Sequence, residues 1–129
     1  MNALALLVSW LLGVALWGTL SGGGGAMDLA ARAVAGAALG EVVLHFMAFR
    51  RAEARWVAIA LTLAMIGAGS LVAAASDALA DGRIHTALDL DHASLVRWWT
   101  YRRPVDALTE TLALVGAWGT AGRVAPSGP

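Results

Sequence analysis

Between Arg32 and the pair Arg50–Arg51 runs a stretch, Ala33 to Phe49, whose only ionisable members are Glu41 and His45. As a helix its seventeen residues cover about 25 Å, close to the hydrocarbon thickness of a bilayer. The rest of the chain has the same character. It is 59% hydrophobic and 14% charged, with mean hydropathy +0.69, where a soluble domain carries about 25% charged residues. Lipid is the solvent this composition fits. The expectation is an all-α integral membrane protein, folded as a single helical transmembrane domain over 1–129.

Four apolar runs mark the spans, at about 3–20, 33–49, 56–75 and 105–121. The first, Ala3 to Leu20, is uncharged. A signal peptide is the competing reading, but Met1–Asn2 supplies no basic n-region and the apolar stretch exceeds the usual 7–15 residues; a retained span is expected. Ser9 and Gly13 give it a small-residue face. Ser21 and four glycines then break the helix. No strand precedes them and no Lys-Ser or Lys-Thr follows, so they form a linker and not a phosphate loop. Asp28 is the expected N-cap of the second helix. Residues 50–55, with three arginines and Glu53, read as a charged hairpin before the third span opens at Trp56.

From Ser76 the chain turns polar. Asp91 to Tyr101 is amphipathic, with Leu95, Trp98 and Trp99 against Arg97 and the arginines that follow, and Tyr101 among them. Aromatics beside arginines suit the headgroup region, so 91–101 reads as a short interfacial helix with Trp98, Trp99 and Tyr101 as anchors. It is capped by Asp89 or Asp91 and stopped by Pro104. The last span is the weakest, with Asp106 at its edge and Glu110 a turn inside.

Small residues mark the packing faces. Gly36 and Gly40 stand in G-x-x-x-G spacing, and Ala60, Ala64 and Ala68 form a stripe with Gly67 beside it. The chemistry-bearing residues are fewer. An ionised carboxylate at the bilayer centre costs about 2.5–3.5 kcal/mol on insertion scales, so Glu41 must be protonated, paired or facing a wet cavity. His45 is the partner within reach, one turn on. If the second and fourth spans are neighbours, His45, Glu41, Glu110 and Asp106 make a ladder in steps of about one turn, the pattern of proton relays and cation sites. A buried hydrogen bond that fixes helix register, or a subunit contact, is the favoured account of Glu41 and His45.

Several functions are excluded or weakened. Zero net charge gives a nucleic-acid partner no support. With no cysteine there is no disulfide, thiolate metal site, iron–sulfur ligation or Cys nucleophile. His85, Asp89 and His92 have i, i+4, i+7 spacing, but Asp and His in an acidic connector are more often solvated, and no metal site is assigned. No G-x-S-x-G occurs. Haem or a chlorin at His45 is a weaker possibility, since imidazole is the common axial ligand and bis-His ligation would need a partner chain. Four spans and one intramembrane glutamate resemble the outline of the small multidrug resistance transporters. Their glutamate lies in the first span, which carries no acid here, so the likeness is architectural alone.

The expected function is a non-catalytic accessory or structural subunit of a larger membrane complex, with lipid and other membrane subunits, or further copies of itself, as partners. The alternative is a small proton- or cation-coupled transporter. Heavy use of Ala, Gly and Arg resembles a bacterial product, and the cluster Arg50, Arg51, Arg55 places both termini on the cytoplasmic side of an inner membrane.

Overall fold

The computed structural model describes residues 3–20, 25–47, 51–86, 92–100 and 104–122, the side chains of Arg51, His92, Ser94, Arg97 and Trp98 excepted. These residues are helical throughout apart from turns: α1 (Ala3–Leu20), α2 (Ala26–Phe46), α3 (Arg51–Ala80), α4 (His92–Thr100) and α5 (Pro104–Ala121). Three helices, α1, α2 and the Ala52–Ala80 part of α3, are long and apolar enough to cross a membrane. α5 is not among them, because Asp106 and Glu110 fall in its first two turns.

α2 and α3 form the centre. α1 packs against both from one side and α5 against both from the other, while α4 touches α3. α1 runs parallel to α3: Trp10 Nε1 donates to the Leu61 carbonyl at 3.0 Å, Gly13 sits on Met65 and Gly69 on Trp17. α2 runs parallel to α5, with Gly36 against the Ala113 backbone and Gly40 against Ala117. The Thr120 hydroxyl donates to the Ala37 carbonyl at 2.9 Å. The core is built largely of alanine. Val43, Ala54, Ala58, Ala117 and Ala121 fill one end, and Trp17, Leu39, Met65 and Ala113 fill the other. Such small side chains let helices approach closely enough for backbone atoms to touch, which is how packing is gained where lipid removes the hydrophobic drive.

Several boundaries differ from the sequence reading. α2 starts at Ala26, capped by Gly25 in extended conformation without a side-chain bond; Asp28 sits inside the first turn, where its charge favours the dipole. The middle of α2 therefore falls at Gly36, and Glu41 lies off centre. The charged hairpin is shorter than expected, since Glu53 and Arg55 are already within α3. Alanine-rich sequence carries α3 through Ser76 to Ala80. There Gly82, at φ +72°, closes it: the Arg83 amide donates to the Ala78 carbonyl and the Gly82 amide to Leu79, a Schellman motif that needs the left-handed residue. α4 occupies His92–Thr100 within the expected amphipathic segment. Asp89, Asp91 and Tyr101 lie outside the described residues.

The packing stripe of α3 is corrected too. Its buried line is Ala54, Ala58, Thr62, Met65 and Gly69, whereas Ala60, Ala64 and Gly67 are exposed and Ala68 half-buried. On the helical wheel the two lines are about 120° apart. Alanine occurs on both faces of α3, so spacing alone did not distinguish them; bulky Met65 against Gly13, and Gly69 under Trp17, decide which face turns inward.

Candidate functional site

Three polar groups among the described residues lie along the spanning part of the bundle or beside it. The first joins α2 to α5. Arg32 Nη2 donates to Asp106 Oδ1 at 2.9 Å, with only 2% and 14% of the two side chains exposed. The guanidinium carbon also lies 5.4 Å from the centre of the Trp17 ring, within cation–π range. From sequence Arg32 looked like a charged fence at the lipid boundary. The structure puts it inside the bundle, bound to a carboxylate 74 residues on. The signal was present: a cation and an anion at the same end of two spans that run the same way.

Glu41 and His45 form the second group. His45 Nε2 and Glu41 Oε1 are 3.1 Å apart, one turn along α2. The pair faces outward, with 63% of the His45 side chain and 35% of the Glu41 side chain exposed. Bound this way, His45 already has one ring nitrogen engaged, so an axial-ligand role would fall to Nδ1 or require this bond to break.

The third group surrounds Glu110. An open groove of about 800 Å³ between α3, α4 and α5 is lined by Leu63, Ile66, Leu71 and Leu114, with Val96 and Trp99 on the α4 side. Glu110, Thr111 and Ser70 are its polar members. Gly67 lies on its floor, with open space where a side chain would stand.

The one-turn ladder through Glu41 is not formed. Gly36 is level with Ala113 and Gly40 with Ala117, so Glu41 is level with about Trp118. Glu110 is then about 12 Å away along the axis and Asp106 about 18 Å. α2 and α5 are indeed neighbours; their relative register separates these groups, and Asp106 turns to Arg32.

At the opposite end of the bundle Arg55 lies over the Trp118 ring at 5.0 Å. Trp56 meets the same ring edge-on, centroids 5.0 Å apart. Of the interfacial anchors, Trp99 is exposed beside the groove; the Trp98 side chain and Tyr101 lie outside the described set. His85 is exposed, and no group of three His, Asp or Glu fit to hold a metal occurs among the described residues. Comparison with protein-family models, curated proteins and solved structures finds no match to this chain.

Proposed function

We propose that this chain is a four-span membrane protein that serves as a non-catalytic accessory subunit of a larger membrane complex. The observation that carries this reading is the outward-facing Glu41–His45 pair. Glu41 lies five residues, about 8 Å, inside the end of α2, on a flank that hydrocarbon would otherwise cover. Acyl chains offer no hydrogen bonds, and intramembrane ionisable groups turn toward protein or water. A neighbouring protein surface on this flank meets that requirement. α5 counts as the fourth span because it lies along α2 from Asp106 to Thr120: where α2 crosses, α5 crosses with it. Both ends of the described chain then lie at the end of the bundle that carries the short, arginine-flanked α2–α3 connection, which favours the cytoplasmic side. Extraction in mild detergent followed by mass spectrometry tests the proposal. Co-purification with other membrane subunits is expected; a stable, fully active particle of this protein alone overturns it.

One observation favours a second reading, a proton- or cation-coupled transporter: the carboxyl group of Glu110 in a groove large enough for a small solute. In that case Glu110→Gln abolishes coupled transport while insertion and assembly persist. Unchanged transport in that variant rules the reading out.

A further inference from the structure

The groove between α3, α4 and α5 is graded along its length. Met65 of α3 shares a core cluster with Ala113 of α5, and Ala58 shares another with Ala117, so the two helices run in opposite directions. Ser70 is then level with about Leu108, and Ser70, Glu110 and Thr111 lie within about one turn of one another. Leu63 is level with Leu114, and this end of the groove is apolar. Gly36, at the middle of α2, is level with Ala113. In a spanning bundle the polar band therefore sits about 5–8 Å from the bilayer centre, and the apolar end reaches the centre itself.

The polar band is rich in hydrogen-bond acceptors. The Thr111 hydroxyl donates to the Ala107 carbonyl of its own helix at 2.9 Å, so it presents lone pairs to the groove. A carboxylate accepts through two oxygens, about four sites in all, and a bond to one neighbour does not exhaust Glu110. The Ser70 hydroxyl accepts as well as donates. Trp99 adds an aromatic ring on the α4 side, a group that attracts cations.

We infer that this groove binds a membrane-permeant primary amine, a compact hydrocarbon body bearing one ammonium head. The head lies in the polar band, and the body runs along Leu63, Ile66 and Leu114. The inference rests on the groove of the transport reading and gives it a ligand class; it does not require that the amine be moved. An alkylammonium brings three donors and no acceptor, the complement of the band, and its charge strengthens each bond to the carboxylate. The hydrocarbon body gains little over lipid, which is as apolar as the groove lining, so the head sets selectivity. A neutral amine arriving from lipid takes the proton of a protonated Glu110, or an ammonium meets the carboxylate; the bound pair is the same. A phospholipid is excluded by depth, since its headgroup lies about 15 Å from the bilayer centre. A quaternary ammonium carries the charge but no N–H to donate.

Full-length protein in phosphatidylcholine nanodiscs, dialysed to equilibrium against radiolabelled hexylamine with empty discs as the blank, tests the inference. Saturable uptake of one amine per chain is expected. Hexanol and hexyltrimethylammonium, which lack the charge or the donors, are expected to bind about tenfold more weakly or worse, and Glu110→Gln to weaken hexylamine by a similar factor. Gly67 lies on the groove floor with nothing within 4 Å of an added Cβ. Gly67→Leu is therefore expected to block uptake while the unfolding midpoint stays unchanged. Uptake no greater than in empty discs overturns the inference, as does equal affinity for hexyltrimethylammonium or for the Glu110→Gln variant. A groove closed to hexylamine by a retained phospholipid or a co-purifying subunit, identified by native mass spectrometry of the same sample, overturns it too. Hexylamine binding without coupled flux in proteoliposomes upholds this site and overturns the transport reading; coupled flux of another solute without hexylamine binding does the reverse.

Discussion

Arg32 and Asp106 hold the first helix turns that α2 and α5 share: their guanidinium and carboxylate meet at 2.9 Å in a site nearly closed to the outside. Removing one partner of such a pair strands the other. Arg32→Leu is expected to destabilise the bundle by about 3–5 kcal/mol, with Asp106→Leu similar. The double variant is expected to recover most of the loss, since replacing both charges by apolar groups removes the desolvation cost as well. Thermal unfolding of the four proteins in one detergent measures the cycle. Additive losses in the double variant would show that the two side chains do not act as a pair.

Glycines on two helices differ sharply in what surrounds them. A methyl at Gly36 would run into the Ala113 backbone, whereas at Gly67 it would meet nothing within 4 Å. Gly36→Ala is therefore expected to force α2 and α5 apart and cost about 1–3 kcal/mol. Gly67→Ala is expected to be neutral, or to stabilise by up to about 1 kcal/mol through helix propensity. Unfolding midpoints of the two variants provide the comparison.

The two alanine lines of α3 make a similar contrast. Ala58 is fully buried against Val43 and Ala117, and Ala60 is exposed. Ala58→Leu is expected to overpack the core, with a loss of about 1–3 kcal/mol, while Ala60→Leu changes intrachain stability little. Equal losses at both positions would mean that the outer line is also covered.

At the far end of the bundle Trp118 is gripped from two sides, by the Arg55 guanidinium and by the edge of Trp56. Arg55→Ala is expected to cost about 0.5–1 kcal/mol, the value of an exposed cation–π contact. Trp118→Ala loses the ring pair in addition and is expected to cost more. If both changes leave the unfolding midpoint unmoved, the cluster does not secure α5.

Much of this architecture was legible in the residues. Apolar runs located the three long helices, since length and hydropathy are properties of the segment itself. Amphipathic spacing likewise located α4. What could not be read was relative register. Whether Glu41 lies level with Ala113 or with Trp118 depends on how two helices slide, and a shift of five residues turns a one-turn ladder into separated groups. Arg32 shows the same limit. Its burial follows from α1 and α5 each meeting α2 near the same turn, which no one segment encodes alone. The α3 stripe failed for another reason: alanine is so frequent that small-residue spacing fits two faces, and contacts on neighbouring helices break the tie.

The parallel pairing of α2 with α5 has a consequence for how the protein is made. α2 leaves the ribosome some eighty residues ahead of its mate, with a glycine-lined groove and an arginine already facing the place where α5 will lie. α5 is as long as α1 but carries Asp106 and Glu110 in its first two turns and is not among the helices apolar enough to cross a membrane; as the proposed fourth span it would enter the bilayer against a receptor prepared in advance. Synthesis therefore leaves one wall of the bundle open until the end, and the Arg32 charge stands as the docking post on which the final helix closes it.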